Sequence, residues 1–263
     1  MRFAAYDLAK ANESVAHAIA EEVLDHMVVV LRNQNLTEED EVRFCKMIGN
    51  VQDYAGKDRA KHIACHPNIL RVTGEKDSDG EPGLFGHTSA LDWHANQASK
   101  SNRDPLIWLY SKKGSFGSRT SWINMIKAYD DLSETMKKEI EDVKITLGFK
   151  SGGYSTSTFF HEHHDTDNPF NLVHTNDAGR TGLYFPFLQI FGMPGKTDAE
   201  FKELMEQLIA HVTQEKYIYH HDWQDGDVVI SEQWLSIHKR WEFDKMDERV
   251  LHRIAFDYSK VKL

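Results

Sequence analysis

The chain has 263 residues, of which 40% are hydrophobic and 27% are charged, and its formal net charge is −10 at pH 7. These values are ordinary for a globular protein and leave room for one large domain or two small ones. The acidic balance argues against nonspecific binding to nucleic acid, which needs clustered lysine and arginine. It does not exclude a small anionic ligand, because one local arginine is enough to bind it.

The two cysteines, Cys45 and Cys65, are too few for a disulfide framework and favour free thiols. The N-terminal segment has no apolar stretch of the signal-peptide type. No run approaches the roughly 18 to 20 apolar residues of a membrane span. We therefore predict a cytoplasmic protein with neither a membrane nor a nucleic acid as partner. A homo-oligomer is compatible with the sequence.

In chain order, the first predicted elements alternate between helix and strand. Residues 12–26 have apolar positions at helical spacing and a candidate N-cap at Asn12 or Ser14. The β-branched run at 27–34 predicts a buried strand. Residues 36–51 predict a second helix, because an acidic first turn follows a threonine and the apolar stripe ends at a glycine.

The middle of the chain predicts two strands, at 69–73 and 105–113, on either side of a loop at 75–90 that is rich in glycine, aspartate and proline. We expect this loop to be mobile. Residues 121–143 predict two consecutive helices, the second of which is capped by Ser133.

The C-terminal part predicts an apolar strand at 182–190 and an amphipathic helix at 197–214. It then predicts three strands, at 217–223, 225–233 and 252–258. Strands interleaved with a few helices and many loops predict a mainly β protein, whose antiparallel core is flanked by helices. A doubly wound sheet is not expected, because regular alternation of strand and helix is absent.

The stretch Leu-Asp-Trp-His-Ala-Asn-Gln at 91–97 contains a candidate metal ligand, His94. Because residues i and i+2 of a strand point to the same side, His94 and Asn96 can reach one metal ion together. His238 lies just past the predicted core strand at 225–233, which would hold it rigidly, and is the candidate for a second histidine ligand. Two histidines and one carboxylate around Fe(II) are the ligands of non-haem iron oxygenases.

The segment His-Glu-His-His-Asp-Thr-Asp at 161–167 is a competing candidate, since His163 and Asp165 form a His-x-Asp pair. The segment lacks strand-like flanks. We interpret it as a solvated loop or a substrate lid rather than as the metal site.

Six segments follow the pattern of one known family, in the same order; they are residues 26–51, 91–97, 114–132, 168–186, 219–241 and 247–256. Residues 91–97 stand where the pattern has Trp-His-x-Asp, and residues 247–256 stand where it has Arg-x-x-x-His-Arg. In these segments the chain resembles the taurine dioxygenase-like Fe(II), 2-oxoglutarate-dependent oxygenases. The resemblance implies a double-stranded β-helix, which is a distorted jelly roll, in one domain over residues 1–263.

By this resemblance His94 and His238 are iron ligands, and Thr120 and Arg249 match the positions that hold the distal carboxylate of 2-oxoglutarate. Arg253 matches a position that binds the anionic group of a substrate, or else it shares the cosubstrate. A physical argument agrees for the arginines, because a planar guanidinium binds a carboxylate through two hydrogen bonds. Arg249 and Arg253 are four positions apart, so on a strand both face the same side.

The departure from the family is Asn96, which stands where the pattern has aspartate. A carboxamide oxygen can bind a metal, but it is neutral and a weaker ligand than a carboxylate. Three outcomes follow: Asn96 coordinates iron directly or through a water, iron binds weakly with a position open for another anion, or metal catalysis is lost. A fourth alternative is an asparagine introduced in place of a native aspartate.

The leading prediction is an enzyme that uses Fe(II), 2-oxoglutarate and O2 to form a ferryl oxidant. This oxidant abstracts hydrogen from a small polar substrate, anionic or amino-acid-like, and hydroxylation is the expected outcome. One alternative is a halogenase with an altered metal site, which is disfavoured because asparagine fills part of a halide site. The other is a non-catalytic homologue that binds a metabolite, since fold alone does not fix function.

Overall fold

The computed structural model describes residues 2–55, 66–76, 80, 85, 86, 88–98, 104–148, 165–244 and 249–262. Its helices are α1 (Glu13–His26), α2 (Glu38–Ile48), α3 (Met125–Asp130), α4 (Glu134–Ile140) and α5 (Asp198–Val212). Its strands are β1 (Arg2–Ala4), β2 (Val28–Leu31), β3 (Leu70–Thr73), β4 (Leu91–His94), β5 (Leu106–Lys113), β6 (Arg119–Asn124), β7 (Lys144–Leu147), β8 (Asp165–Asn171), β9 (Val173–Thr175), β10 (Thr181–Leu183), β11 (Ile190–Gly192), β12 (Ile218–Asp222), β13 (Val228–Glu232), β14 (Ser236–Arg240) and β15 (Val250–Phe256).

Two sheets form the body of the molecule. The larger sheet has the strand order β1–β2–β13–β5–β15–β3, and the smaller sheet has the order β12–β6–β14–β4. Side chains from both sheets share one buried cluster, which includes Val30 and Leu109 from the larger sheet and Trp122 from the smaller sheet. Two largely antiparallel sheets packed in this way form the jelly roll, so the predicted fold class is confirmed.

Strand alternation gives the larger sheet an outer and an inner face. On β15, Ile254 and Phe256 belong to the outer cluster, which also contains residues of α1 and α2, whereas Leu251 and Ala255 belong to the cluster between the sheets. Because side chains alternate along a strand, Arg253 shares the inner face with Leu251 and Ala255. The strand that builds the core therefore also carries a charged residue into the space between the sheets.

Helix caps confirm several of the predicted boundaries. The side chains of Asn12, Thr37, Ser133 and Thr197 accept hydrogen bonds from first-turn backbone amides at the starts of α1, α2, α4 and α5. The predicted strands at 27–34, 105–113 and 225–233 contain β2, β5 and β13. No helix in the described part of the chain is long and apolar enough to cross a membrane.

The prediction of a helix beginning at residue 121 is wrong. Residues 121–124 belong to β6, which pairs with β12 on one side and β14 on the other. Trp122 packs between the two sheets and Ile123 packs on the opposite face, so burial on both faces of a sheet overrides the helical spacing. Asn124 then caps α3 through a hydrogen bond to the Lys127 amide.

The predicted strand at 182–190 is interrupted. β10 ends at Leu183 and β11 begins at Ile190, with a short 3-10 turn between them. Pro186 lies at the start of this turn, and a proline has no N–H with which to continue a ladder. Several short strands of the described chain were not predicted from the sequence, among them β1, β7 and β9.

Candidate active site

His94 and His238 lie opposite each other on the smaller sheet. His94 is the last residue of β4, and β14 places His238 in register with it. The two imidazole rings have centroids 4.1 Å apart, and the Trp122 ring stacks beside His238 at a centroid distance of 6.3 Å. Strand pairing thus brings together two side chains from distant parts of the chain.

A backbone contact fixes the tautomer of His94. Its Nδ1 lies 2.6 Å from the carbonyl oxygen of Asp92. A carbonyl only accepts, so Nδ1 carries the proton and Nε2 carries the lone pair that a metal ion would use. Burial lowers the pKa of His94 to about 4. Burial and the charges of His94 and Arg253 lower the pKa of His238 well below 6.5, so both rings are neutral at neutral pH.

Asn96 lies two residues beyond β4, next to His238. Its Nδ2 is 3.5 Å from His238 Nε2 and 3.3 Å from Gln233 Oε1. Gln233 Oε1 also accepts a hydrogen bond of 3.1 Å from the backbone N–H of Asn96. The structure therefore brings the three side chains predicted as metal ligands, His94, Asn96 and His238, into one cluster.

Arg249 and Arg253 are both buried, with 2% and 9% of their surface exposed. Within the described part of the molecule, Arg249 Nε and Nη1 and Arg253 Nε have no hydrogen-bond partner. The charge of Arg253 contributes to the lowered pKa values of His94 and His238. Burial lowers the pKa of Arg249 to about 9, which still leaves its guanidinium charged at neutral pH. Buried guanidinium groups with unused donors suit carboxylate ligands.

Thr120 is buried on β6, between His221 on β12 and Arg240 on β14. Its Oγ1 accepts a hydrogen bond of 2.9 Å from Nε1 of Trp223. Because the indole nitrogen only donates, the hydroxyl hydrogen of Thr120 is left to donate to a ligand. The indole also fixes where the hydroxyl oxygen lies.

Arg240 was not among the predicted site residues; it lies two residues after His238 on β14 and therefore on the same face. Arg240 is 6% exposed. Its Nη1 and Nη2 donate to the backbone oxygens of Phe85 and Ser89, both at 2.9 Å. Its charge also lowers the pKa of Arg249. The period-two spacing from His238 was the signal that could have identified it.

Two buried glutamines beside Asn96 were missed as well. Gln233 and Gln189 are each 1% exposed. Gln189 Oε1 accepts from the backbone N–H of Ala95 at 2.8 Å, and its Nε2 donates to the backbone oxygen of Ala95 at 3.0 Å. No motif or periodicity marks these residues, because their partners come from distant parts of the sequence.

The cluster at 161–167 cannot be compared with this site, since His163 lies outside the described residues and residues 165–167 begin β8. Much of the predicted loop at 75–90 also lies outside the described residues. The expectation that the 161–167 segment is a loop without strand-like flanks is wrong for residues 165–167, because β8 includes them and continues to Asn171, paired with β7. The rest of the interpretation of both segments stays a prediction.

The donor set fits a divalent metal ion bound by two imidazoles and one amide oxygen. The candidate ligands are all neutral, because burial lowers the pKa values of His94 and His238 and Asn96 is an amide. Across the described ranges, no group of three or more His, Cys, Asp or Glu residues could hold a metal ion. Iron(II) accepts imidazole and oxygen ligands. The guanidinium nitrogens of Arg249 and Arg253 that have no partner in the described part of the chain fit a dicarboxylate such as 2-oxoglutarate.

Comparison with known proteins gives a match to the family described as "Taurine catabolism dioxygenase TauD, TfdA family" over residues 2–255. The (S)-phenoxypropionate/alpha-ketoglutarate-dioxygenase of Sphingobium herbicidovorans is 26% identical over 256 residues, covering 89% of this chain and 84% of that protein. An alpha-ketoglutarate-dependent 2,4-dichlorophenoxyacetate dioxygenase from a Burkholderia species is 24% identical over 242 residues, covering 86% of this chain and 80% of that protein. The crystal structure of AAD-2 in complex with Mn(II) and N-oxalylglycine matches with a TM-score of 0.80 at 21% identity, covering 99% of this chain and 96% of that one.

Two paired histidines on the inner face of a jelly roll match the two histidine ligands of a non-haem iron oxygenase, and Asn96 stands where that class has its carboxylate. The chain belongs to the TauD/TfdA family of taurine catabolism dioxygenases. It is a non-haem iron, 2-oxoglutarate-dependent dioxygenase, which confirms the predicted enzyme class and the predicted use of Fe(II), 2-oxoglutarate and O2.

Proposed function

We propose that the protein hydroxylates a small substrate that carries an anionic group. In this reaction 2-oxoglutarate, O2 and a substrate C–H bond become succinate, CO2 and an alcohol, and one oxygen atom of O2 enters each of the two organic products. The observation that carries the proposal is the pair of neutral, buried histidines and the buried arginines, whose guanidinium nitrogens include several without a partner among the described residues. His94, Asn96 and His238 would hold the iron, which supplies the activation of O2 when bound.

Thr120 and Arg249 would hold the distal carboxylate of 2-oxoglutarate. Arg249 offers Nε and Nη1, which have no partner within the described residues, and Thr120 offers a hydroxyl whose oxygen Trp223 already fixes. A charged guanidinium in a buried site binds a carboxylate more strongly than it would in water, because screening is weaker there. These contacts would orient the cosubstrate before the substrate arrives.

Arg253 would bind the anionic group of the substrate. It lies on the inner face of β15, and its charge acts on both His94 and His238, so an anion bound to it would lie near the metal site. Two of the relatives are named for phenoxypropionate and for 2,4-dichlorophenoxyacetate, and both compounds are carboxylates. A carboxylate is therefore the first class of substrate to test.

The buried surroundings of the site support an oxidation that must exclude water. Trp122 is 1% exposed and packs beside His238, and the cluster between the sheets includes Val30 and Leu109. An apolar wall next to the metal keeps the reacting C–H bond away from bulk water.

The experiment measures succinate formed from 2-oxoglutarate under air by the full chain with Fe(II) and a panel of candidate substrates. The panel pairs carboxylates, such as phenoxypropionate and phenoxyacetate, with their neutral primary amides. We expect the carboxylates to raise succinate formation at least about tenfold above the amides, since one lost charged contact costs about 1.4 kcal/mol or more. Arg253→Ala should erase this difference, and Arg253→Lys should retain part of it.

Equal stimulation by acids and amides would contradict an anionic substrate. Iron binding without any succinate, even at high 2-oxoglutarate concentration, would contradict hydroxylation and favour the metabolite-binding alternative. A chlorinated product formed only when chloride is added would instead favour halogenation.

A further inference from the structure

The side chain of Gln233 is matched to an amide at position 96 and not to a carboxylate. Gln233 directly follows β13 and is 1% exposed. Its Oε1 accepts from the backbone N–H of Asn96 at 3.1 Å and from Asn96 Nδ2 at 3.3 Å. Its Nε2 donates to Oγ of Ser231 at 3.2 Å.

The backbone N–H of Asn96 decides the orientation of both amide groups. A backbone N–H only donates, so the Gln233 atom that faces it is the oxygen. The side-chain atom of residue 96 that contacts Gln233 Oε1 must then be a hydrogen-bond donor, because two acceptor oxygens do not form a hydrogen bond. Asparagine supplies such a donor in Nδ2, whereas an ionised aspartate has only acceptors.

We infer that Gln233 is a positioning residue that selects an amide at position 96. An aspartate there would place an acceptor oxygen against Oε1 of the buried Gln233 side chain, in a contact that is itself partly buried, and an unsatisfied polar group there is costly. Turning the Gln233 amide over would not help, because its NH2 group would then face the backbone N–H of Asn96. Asn96 is thus the partner of a built-in acceptor rather than a neutral remnant of an aspartate.

The hydrogen bond between Gln233 and Asn96 also determines which atom of Asn96 can coordinate a metal ion. This consequence rests on the proposed function. Among the described residues, Asn96 Nδ2 donates to Gln233 Oε1 and lies 3.5 Å from His238 Nε2. The bond to Gln233 therefore leaves Oδ1 as the ligand atom. All three candidate ligands are then neutral, and the charge of the metal must be balanced by the anions that bind beside it.

A double-mutant cycle on the metal-free full chain tests the match. Urea unfolding is measured for the wild type, Asn96→Asp, Gln233→Met and the double variant. Methionine has a volume similar to glutamine but no acceptor oxygen. We expect Asn96→Asp to raise the unfolding equilibrium constant at least about tenfold more with Gln233 present than with methionine in its place. Folding of the double variant alone, with Asn96→Asp unfolded, would support the inference in the same way.

Gln189→Met is the matched control. Gln189 is as buried as Gln233, but it holds the backbone of Ala95 and not the side chain of Asn96. Asn96→Asp combined with Gln189→Met should be additive within about twofold in the unfolding constant. Additivity with Gln233→Met as well would overturn the inference.

A spectroscopic readout does not require Asn96→Asp to fold. In protein labelled with 15N-asparagine, the side-chain NH2 signal of Asn96 is assigned by its loss in Asn96→Ala. The signal should shift in Gln233→Met and return towards the wild-type position in Gln233→Glu, whose carboxyl oxygen can accept from the same two N–H groups. An unchanged signal in Gln233→Met would overturn the inference.

A Mn(II) titration followed by EPR separates the two proposals. Gln233→Met should weaken Mn(II) binding by about three- to tenfold, because Asn96 Oδ1 is no longer held in place. If His94→Ala retained full Mn(II) affinity, the proposed metal site would be wrong while the amide match could still hold.

Discussion

His94 and His238 are in register across the antiparallel pair of β4 and β14, with their ring centroids 4.1 Å apart. More than half of the chain separates them in sequence. Their side chains meet because both strands belong to the same sheet and a paired residue on each points to the same face. Each ring is buried and neutral at neutral pH, so neither needs to lose a proton before it binds a metal ion.

The first prediction concerns metal binding. His94→Ala and His238→Ala should each abolish binding of Fe(II) or Mn(II) at micromolar metal concentration without unfolding the protein, because each removes one of two imidazole ligands. Isothermal titration calorimetry under anaerobic conditions measures the affinity, and circular dichroism checks the fold. Full affinity in either variant would show that this histidine is not a ligand.

The cluster at 161–167 provides the control for this experiment. Mutating His163 and Asp165 together to alanine should leave the affinity for Fe(II) nearly unchanged. A large loss of metal in this variant, together with normal binding in His94→Ala, would move the metal site to that segment.

The second prediction separates the two arginines of the closing strand. Arg249→Ala should weaken 2-oxoglutarate more than Arg253→Ala does, by on the order of 2–5 kcal/mol if the carboxylate partner stays buried. The affinity of the metal-loaded variants is measured by titration of 2-oxoglutarate, following the visible charge-transfer band under anaerobic conditions. The reverse order would show that the two arginines exchange the roles proposed for them.

The third prediction concerns Thr120 and its indole partner. Thr120→Val removes the acceptor of Trp223 Nε1, which is 2.9 Å from Thr120 Oγ1, and should cost about 1–3 kcal/mol of folding stability because that N–H stays buried. It should also weaken 2-oxoglutarate. Thr120→Ser restores the hydroxyl and should recover most of both losses, which chemical unfolding and the same 2-oxoglutarate titration would measure. Unaltered 2-oxoglutarate affinity in Thr120→Val would exclude this residue from the cosubstrate site.

The fourth prediction follows from the absence of charge on the ligands. Mn(II) should bind at least about tenfold more tightly when 2-oxoglutarate is present, because the dianion offsets the charge of the metal in a pocket that also holds Arg249 and Arg253. By linkage, Mn(II) should tighten 2-oxoglutarate by the same factor. The double variant Asn96→Asp/Gln233→Met adds an anionic ligand, so 2-oxoglutarate should tighten its Mn(II) binding by a smaller factor. Independent binding of the two ligands would contradict the neutral ligand set.

The fifth prediction is a pH effect away from the site. Glu41 is fully buried, accepts a hydrogen bond of 3.1 Å from Nε1 of Trp108 and lies 2.8 Å from Nδ1 of His252. Burial raises the pKa of Glu41 above 4.5, so the folded protein binds a proton more tightly than the unfolded chain does. The stability that proton binding at Glu41 contributes is fully present below pH 4.5. It is lost as the pH rises through the pKa of Glu41 in the folded protein.

Glu41→Gln removes this titration. The free energy of unfolding of the variant should therefore improve relative to the wild type as the pH rises above 4.5. Urea unfolding at a series of pH values measures both proteins, and parallel stability curves would contradict the prediction.

The sequence was enough to predict the helices α1, α2 and α5, because their caps and apolar spacing are local signals that tertiary packing reinforces. It also determined the family, since ordered segments along the chain carry that information. It did not determine β6, because Trp122 and Ile123 fit a helix as well as a strand until β12 and β14 lie on either side of them. Local spacing could not anticipate those neighbours.

The same division holds at the site. The sequence identified His94, Asn96, His238 and the two arginines as candidates. The signals were the two-residue periodicity of strands and the order of the family motifs, and both can be observed in the sequence alone. That His94 faces His238, and that Gln233 Oε1 lies beside Asn96 as a hydrogen-bond acceptor, follows from the folded arrangement and not from the sequence patterns. The reason is physical: the direction of a hydrogen bond depends on which donor and which acceptor meet in space, and the partners here come from strands far apart in sequence.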